Sequence, residues 1–339
     1  MSVSPLFLFS CEKESSVEPR TAVFYEYFDT VSTVYSYRDE TLEEFNAHTE
    51  TIKEILNKYH RLCDIYYEYS GMNNLKTVND KAGIAPVKVD AELIEFMEYA
   101  NEIFSLTRGE TNIAMGPVLK LWHDKREEAS EGVATLPNNS DLSEAAKHSS
   151  QELLVIDKEN STLYLSDPLG RIDVGALAKG YATEMAAQYL IENGISSYVL
   201  DIGGNLRIVG KKENGEGWIT GITDPDKSSG NSFAMRLRLY DTSCVTSGNY
   251  ERYFTVGSKK YHHIIDKDTL YPANYFASVS IITKDSALAD ALSTALFCMP
   301  YEEGLQLVKS LGGVDAIWIY EDGSVKYTDG IIPIMVDKQ

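Results

Sequence analysis

The sequence predicts a single α+β domain with a mixed or antiparallel β core and flanking helices. Segments rich in β-branched and aromatic residues occur near the start and throughout the second half of the chain. Amphipathic stretches with helical spacing lie between them. No internal repeat and no linker-like composition interrupts residues 23–339. We therefore expect one domain over 23–339, preceded by a signal remnant or lipoprotein tether over 1–22.

The first third of the domain predicts strands followed by helices. "TAVFYEYFDTVSTVYSYRD" alternates as strands do, and apolar residues over 41–69 then recur with i, i+3, i+4 spacing. "NNLKTVNDKAG" predicts a loop, and "DAELIEFMEYANEIFSLT" predicts a second helix with Asp90 as its N-cap. "REEASEGVATLPNNSD" is polar, and we interpret it as an exposed loop.

From residue 150 onwards, strand signals dominate. "ELLVIDKENSTLYLSD" predicts a hairpin, and 171–195 predicts a strand, a turn and a helix that stops at Gly194. "SSYVLDIGGNLRIVG" then returns as a strand. Three later strand-like segments, "WITGITDP", "FAMRLRLYDTSCVTSG" and "ASVSIITKDS", precede a helix, "SALADALSTALFCM", and a hairpin around Asp322-Gly323.

The charge of the chain limits the class of partner. The formal net charge is −20, which repels phosphate backbones, so we expect no nucleic-acid partner. An anionic small molecule would need local help from a metal, a lysine or helix N-termini.

The cysteines suggest an anchor and no zinc site. No CxxC pair is present, and Cys63 and Cys298 lie in apolar contexts typical of a core. Leu8-Phe9-Ser10-Cys11 resembles a bacterial lipobox, but its apolar run is short and no basic residue precedes it. Either the true start lies upstream or the match is chance. We expect a lipid anchor at Cys11 and a location on the extracytoplasmic face of the bacterial cell membrane.

A helix near the C-terminus carries two hard oxygen ligands. Asp290 and Thr294 are four residues apart, so they lie on one helical face among Ala and Leu residues. A carboxylate and a hydroxyl suit Mg²⁺ or Ca²⁺, whereas the commoner interpretation of such a pair is a solvated helix face.

Two glycine-rich turns are candidate ligand contacts. In "IDVGALAKGYATEMA", Asp173 and Lys179 flank small residues where a helix begins, which suits a phosphate or, more simply, a capped helix with a surface lysine. Gly203-Gly204-Asn205 follows a strand and allows close backbone approach or a simple tight turn. The pattern is not GxGxxG, so a Rossmann site is weakly supported.

Histidines supply a candidate proton carrier. "TSGNYERYF" and "YHHIIDKDTLYP" contain Thr246, Ser247, His262, His263 and Asp266. His263 and Asp266 have the spacing of an acid–base unit, although a single histidine is more often structural. No G-x-S-x-G elbow occurs, so a serine hydrolase is not supported.

The order of these motifs is more informative than any one of them. The succession "ETNIAMGPVLKLW", "DVGALAKGYATE", "DIGGN", "TSGNYERYF", "HHIIDKDT" and "ADALSTALF" resembles the ApbE family of flavin transferases, from about Tyr27 to Asp322. The resemblance implies one ApbE-like domain, for which two T-fold-like halves are one arrangement. It also implies an Mg²⁺-dependent FAD:protein FMN transferase that cleaves the FAD pyrophosphate, joins FMN to a Ser or Thr of a partner through a phosphoester, and releases AMP.

The resemblance also implies roles for individual residues. It implies that Asp290, Thr294 and the Ala176 carbonyl hold the metal, and that His263 is the candidate general base. The implied FAD contacts are Phe28, Tyr69, Glu110, Thr111, Asn112, Asp173, Lys179 and Ile264. The acceptor would be a protein with a Ser/Thr flavinylation motif, such as a membrane redox subunit or an extracytoplasmic flavoprotein.

This chain departs from the family pattern in two places. Asn112 and Ala114 stand where the family usually has Asp and Thr, and "DKDTLYP" stands where it has D-P-x-T-G-x-P, with Leu270 in place of the glycine. Two alternatives to transfer therefore stay open: an FAD pyrophosphatase that releases FMN and AMP, and a flavin-binding lipoprotein without catalysis.

Overall fold

A computed structural model of the chain describes residues 19–226 and 229–336. The strands of this part are β1 (Arg20–Phe24), β2 (Ser32–Ser36), β3 (Val87–Lys88), β4 (Leu154–Asp157), β5 (Thr162–Leu165), β6 (Tyr198–Ile202), β7 (Asn205–Val209), β8 (Trp218–Thr223), β9 (Phe233–Leu239), β10 (Ser243–Gly248), β11 (Tyr253–Val256), β12 (Lys259–His262), β13 (Ser278–Thr283), β14 (Val314–Ile319) and β15 (Val325–Tyr327). The α-helices are α1 (Leu42–Cys63), α2 (Leu75–Asp80), α3 (Ala91–Leu106), α4 (Gly116–Ser130), α5 (Asn139–Ala146), α6 (Ala178–Glu192), α7 (Ser286–Phe297) and α8 (Tyr301–Ser310).

The main sheet is antiparallel throughout. Its eight strands follow the order β1-β2-β6-β7-β10-β13-β14-β15. Smaller sheets pair β3-β5-β4, β8-β9 and β11-β12. The predicted α+β fold with an antiparallel core and flanking helices is confirmed.

Both faces of the main sheet are covered, because side chains alternate along each strand. On β6, Leu200 and Ile202 pack into the core formed with α1, α3 and α6, whereas Val199 points to the opposite core. On β14, Trp318 packs against α7 and α8, whereas Ile317 faces the opposite core, which includes residues of β8 and β9. The helices α6 and α7 therefore lie side by side on one face of the sheet, where they contact each other closely.

Several predicted elements are confirmed, including the hairpins β4-β5 and β14-β15 and the helices α3 and α7. Helix α1 also forms, with a capping box between Thr41 and Glu44, but it ends at Cys63 and not at residue 69. Asp64 is extended, with φ −65° and ψ 127°, which ends the helix before Tyr66. Asp90 occupies the N-cap of α3 without a side-chain cap hydrogen bond.

Two segments predicted as loops contain helices. Residues 73–83 include α2, because Asn74 and Thr77 cap its start reciprocally. Residues 126–141 include the end of α4 and the start of α5, so the connecting loop is short. Helix α8, which follows Pro300, was not predicted.

The predicted strand–helix–strand unit at 171–210 is wrong in its first and last parts. Residues 171–174 form no strand, and they enter α6 through a turn. Residues 196–210 form the hairpin β6-β7, and its turn is Gly203-Gly204, with φ of 57° and 86°. Such positive φ values suit glycine, so the tight-turn interpretation of these glycines is correct.

The N-terminal strand begins inside the segment that we interpreted as a tether. β1 starts at Arg20, so residues 20–22 pair with β2. Cys11 lies outside the described residues. Among the described residues, no helix is long and apolar enough to cross a membrane.

Candidate functional site

The candidate site centres on the contact between α6 and α7. The Gly180 N–H of α6 donates to Asp290 Oδ2 of α7 at 2.7 Å. A Cβ at position 180 would lie 2.3 Å from Asp290 Cβ and 2.7 Å from the Ser286 carbonyl oxygen. Real Cβ atoms do not approach other atoms this closely, so this helix pair requires glycine at 180.

Asp290 faces a lysine as well as a backbone N–H. Lys179 Nζ lies 4.0 Å from Asp290 Oδ1 and also donates to Asn205 Oδ1 at the start of β7. The Asp290 side chain is 9% exposed and that of Lys179 is 24% exposed. Desolvation lowers the pKa of Lys179, while the Asp290 charge acts in the opposite direction. A charged pair thus stands at the edge of the core, with Asp290 Oδ1 hydrogen-bonded to none of the described residues.

The Ala176 carbonyl precedes α6 and has no backbone partner among the described residues. In a regular helix it would accept the N–H of the residue four positions later, which is Gly180. That N–H goes to Asp290 instead, and within 19–226 and 229–336 no hydrogen bond reaches the Ala176 oxygen. The Ala176 carbonyl is therefore a free acceptor just before the first turn of α6.

Thr294 lies one turn along α7 from Asp290. Its hydroxyl is 3.4 Å from Ser247 Oγ of β10, and Ser247 lies 2.8 Å from Ser293 Oγ. Asp290, Thr294 and the Ala176 carbonyl offer one carboxylate and two neutral oxygens, which suits Mg²⁺ when substrate phosphates supply further ligands. No group of three or more His, Cys, Asp or Glu residues suited to a metal occurs in the described part of the chain.

The segment Glu110-Thr111-Asn112 lies against α7 and the histidine loop. The Thr111 hydroxyl donates to the Ala291 carbonyl at 2.9 Å, one residue after Asp290. Asn112 Oδ1 accepts the Ala114 N–H at 2.8 Å and caps a 3₁₀ turn, Ile113–Met115. Burial raises the pKa of Glu110, and Lys267 Nζ lies 3.2 Å from its carboxylate. The Thr111 side chain thus holds this segment against the backbone of α7, and the Asn112 side chain holds the backbone of the following 3₁₀ turn. Glu110 is the charged member of the segment.

Asp173 lies at the entrance to α6. Its N–H donates to the Ile113 carbonyl at 2.8 Å, and its Oδ1 accepts the Gly175 N–H at 2.9 Å. The carboxylate lies within electrostatic range of Tyr66, His123 and Arg126. The Asp173 carboxylate therefore caps only the turn before α6. The same side chain faces Tyr66, His123 and Arg126.

His263 follows β12 and is solvent-exposed. The ring nitrogen Nδ1 lies 3.2 Å from the Arg252 carbonyl, which fixes it as the protonated nitrogen and leaves Nε2 free. Neighbouring protein atoms displace part of the water around the ring, and this desolvation is the main cause that lowers the pKa of His263. The positive charge of Arg252 lowers it further. The ring is thus neutral near pH 7 and can accept a proton at Nε2.

The neighbours of His263 have structural roles. His262 is buried, with Nε2 2.8 Å from the Ala273 carbonyl, and Ile264 is 6% exposed and packs in the core with α7. Asp266 Oδ1 accepts the N–H groups of Asp268 and Thr269 at 2.8 and 2.9 Å. The interpretation of His263 and Asp266 as an acid–base unit is therefore not supported, because Asp266 closes its own turn.

The turn after His263 gives Leu270 a backbone conformation that favours glycine. Leu270 has φ 61°, in the left-handed region, at the position where the resemblance implies a glycine, and its carbonyl accepts the Trp122 indole N–H at 2.9 Å. Lys267, where the family has proline, supplies the ion pair to Glu110. The loop after His263 is thus tied to the segment that precedes α4.

Phe28 and Tyr69 make their hydrogen bonds with residues outside the Lys179–Asp290 group. Phe28 has φ 55°, and its N–H donates to His60 Nδ1 at 3.2 Å. Tyr69 donates to Asp64 Oδ2 at 2.7 Å, and burial together with this bond raises its pKa to about 12. A pocket of about 310 Å³ beside Tyr69 has none of the residues of the Lys179–Asp290 group in its lining.

The structure thus brings Lys179, Gly180 and Asp290 together, with Thr294 one turn along α7 and Thr111 attached to the same helix. The positive charge of Arg252 lowers the pKa of both Lys179 and His263, after desolvation, which is the larger cause for each. Sequence reasoning missed Asn205 as a Lys179 partner, although "DIGGN" was among the motifs considered. It also missed Gly180, whose requirement depends on a contact with a helix 110 residues away.

Comparison with known proteins agrees with this arrangement. The family model described as "ApbE family" matches residues 28–318. A "FAD:protein FMN transferase" of Treponema pallidum is 32% identical over 317 residues, covering 89% of this chain and 85% of the relative. A protein of the same name from Klebsiella pneumoniae is 26% identical, covering 86% and 91%.

Solved structures show the same fold. The crystal structure of the ApbE protein from Thermotoga maritima superposes with a TM-score of 0.82 and is 27% identical in sequence. The match covers 94% of this chain and 100% of that chain. The flavin transferase ApbE from Vibrio cholerae gives a TM-score of 0.77 at 23% identity, covering 94% and 100%, and supports the fold.

Proposed function

The chain belongs to the ApbE family, and from this premise we propose that it is an Mg²⁺-dependent FAD:protein FMN transferase. The relatives from Treponema pallidum and Klebsiella pneumoniae are both named FAD:protein FMN transferases. The observation that carries the proposal is the Asp290 carboxylate, hydrogen-bonded to the Gly180 N–H and facing Lys179 at the first turn of α6.

The reaction is a phosphoryl transfer with FAD as the substrate. A Ser or Thr hydroxyl oxygen of the acceptor attacks the phosphorus on the FMN side of the pyrophosphate. A phosphoester forms, the P–O bond to the AMP phosphate breaks, and AMP leaves. Such reactions depend mainly on positioning and on stabilisation of negative charge.

Residues of α6 and α7 bind the charged part of the substrate. Asp290, Thr294 and the Ala176 carbonyl would hold Mg²⁺, which neutralises pyrophosphate charge when bound. Lys179 adds a positive charge at the first turn of α6. This local positive potential is what an anionic substrate needs in a protein with net charge −20.

His263 acts as the general base. A hydroxyl is a poor nucleophile until its proton is removed. His263 Nε2 takes that proton, because Nδ1 is committed to the Arg252 carbonyl and the ring is neutral. The exposure of His263 lets the side chain of an acceptor protein reach it from solvent.

The acceptor and location follow from the family resemblance and from the N-terminal motif. We propose an acceptor protein with a Ser/Thr flavinylation motif, and a lipid anchor at Cys11 that keeps the enzyme on the extracytoplasmic face of the membrane. Metabolic labelling with a palmitate analogue tests the anchor. Labelling that persists in a Cys11→Ser variant would refute it.

A transfer assay tests the function. The protein is incubated with FAD, Mg²⁺ and an acceptor bearing the motif, and covalent flavin is detected by its fluorescence after denaturing electrophoresis. We expect a fluorescent acceptor band that is absent with EDTA. Release of FMN and AMP without a labelled acceptor would indicate a pyrophosphatase, and FAD binding with neither product would indicate a non-catalytic flavin-binding protein.

A further inference from the structure

A second polar contact joins α6 to α7, one helical turn from the Gly180–Asp290 hydrogen bond. Glu184 Oε2 accepts the N–H of Ser286 at 2.9 Å. Gly180 and Glu184 are four residues apart on α6, and Ser286 and Asp290 are four residues apart on α7. Each pair therefore lies on one helix face. The two contacts together fix how α7 is placed along α6.

An arginine from the sheet holds Glu184 in place. Arg207 Nε of β7 lies 3.1 Å from Glu184 Oε2, with side chains 0% and 6% exposed. Gln188 donates to the other carboxylate oxygen at 2.6 Å. Arg207 follows Asn205 by two positions on β7, so both point to the same face of the sheet. One face of β7 thus contacts α6 at Glu184 through Arg207 and at Lys179 through Asn205.

We propose that Glu184 is a positioning residue for the metal carboxylate, holding Asp290 at the Gly180 N–H of α6 through its hydrogen bond to the start of α7. This inference rests on the proposed function, because it assigns Mg²⁺ to Asp290. Glu184 contacts neither metal nor FAD in this account, and it acts only through the placement of α7.

Stability alone is a weak reason for this arrangement. A buried ion pair contributes little net stability compared with well-packed apolar side chains of similar volume. Its distinguishing property is directionality, because a carboxylate that must satisfy Arg207 and the Ser286 N–H has few acceptable positions. Removing groups that orient a metal ligand typically weakens metal binding 10- to 100-fold.

Three test variants and one control separate positioning from general stability. Glu184→Ala and Glu184→Gln change the carboxylate, and Glu184→Ala removes its bonds to Ser286, Arg207 and Gln188. Ser286→Pro leaves the Glu184–Arg207 pair in place and removes the N–H that Glu184 accepts, together with the buried Ser286 hydroxyl, at the first position of α7, where proline is compatible with a helix. The matched control is Glu40→Gln, because Glu40 is also buried and bonds Tyr198 at 2.6 Å, but belongs to the loop between β2 and α1.

The primary measurement is Mn²⁺ binding to the FAD-loaded protein by electron paramagnetic resonance, with thermal unfolding of the metal-free protein alongside. We expect Glu184→Ala and Ser286→Pro to raise the Mn²⁺ dissociation constant about 10-fold or more. Glu184→Gln, which retains an oxygen for the Ser286 N–H, should fall between wild type and Glu184→Ala. Glu40→Gln should bind Mn²⁺ as wild type does, even where its melting temperature falls.

The outcomes distinguish this inference from the proposed function. Wild-type Mn²⁺ affinity in folded Ser286→Pro would overturn the positioning role, and this variant decides the matter if Glu184→Ala does not fold. Weakened binding in Glu40→Gln equal to that in Ser286→Pro would also overturn it, because the effect would then be general destabilisation. A wild-type protein that binds no Mn²⁺ with FAD would instead refute the metal site on which both proposals rest.

Discussion

Gly180→Ala is the substitution for which the structure predicts the most specific loss. The added methyl group would lie 2.3 Å from Asp290 Cβ, 2.7 Å from the Ser286 oxygen and 2.9 Å from Asp290 Oδ2. Carbon atoms in contact normally lie about 3.5 to 4.0 Å apart. The two helices must therefore separate by roughly 1 Å, or Asp290 must turn away from α6.

Two effects on stability oppose each other. Alanine favours a helix interior over glycine by about 1 kcal/mol. Overpacking in a well-packed core typically costs about 1 to 3 kcal/mol, and the hydrogen bond from Gly180 to Asp290 is strained as well. We expect a net loss of about 1 to 2 kcal/mol in the free energy of unfolding. Activity should suffer more, because a misplacement of about 1 Å near the reacting groups can cost on the order of 100-fold in rate.

The assay compares the rate of covalent flavin transfer at several Mg²⁺ concentrations with chemical denaturation of the same preparations. Gly312→Ala is the matched control, because a Cβ at 312 meets no atom within 4 Å and its φ is not positive. Gly312→Ala should transfer flavin as wild type does. Gly180→Ala with wild-type rate and wild-type Mg²⁺ dependence would refute the idea that glycine makes room for Asp290.

Three further predictions concern His263, Lys267 and Asp201. His263→Ala should slow transfer about 100-fold or more while FAD affinity, measured by fluorescence titration, stays unchanged; a normal rate would place the base elsewhere. Lys267→Met should lower the free energy of unfolding by about 1 kcal/mol and weaken FAD binding, because Glu110 loses its partner. Lys267→Arg should restore the stability and the FAD affinity. An unchanged FAD affinity in Lys267→Met would contradict the link between this ion pair and FAD binding. Burial raises the pKa of Asp201 to about 6, so the folded state retains its proton above the unfolded pKa. Stability should therefore fall by up to about 3 kcal/mol as pH rises from about 4 through 6, and Asp201→Asn should remove this part of the urea-denaturation profile; identical profiles would contradict the shift.

Periodicity predicted elements whose pattern reflects burial on one side. Helix α1 is of this kind and forms, although it ends at Cys63, and the hairpin β14-β15 forms around the turn predicted at Asp322-Gly323. Failures occurred where capping or chain context determined the outcome. Helix α2 forms because Asn74 and Thr77 cap it, and residues 171–174 are not a strand although "RIDV" has strand composition.

Site residues could be predicted where they share one helix face or belong to a motif in the family's order. Asp290 and Thr294 share a face of α7, as their spacing requires. The contacts that position them are not visible locally, because Gly180, Glu184 and Arg207 meet α7 only after the chain has folded. His263 and Asp266 show the opposite case. Their spacing suggested an acid–base pair, but the Asp266 carboxylate instead accepts N–H groups of its own turn.

The measurement that tests the central proposal most directly is mass spectrometry of a motif-bearing acceptor after incubation with FAD and Mg²⁺. With the wild-type protein, we predict a mass gain of one FMN on a Ser or Thr of the acceptor, and release of one AMP for each FMN attached. The Asp290→Ala variant should give no gain while remaining folded. An unmodified acceptor with the folded wild-type protein, or equal modification by Asp290→Ala, would contradict the account.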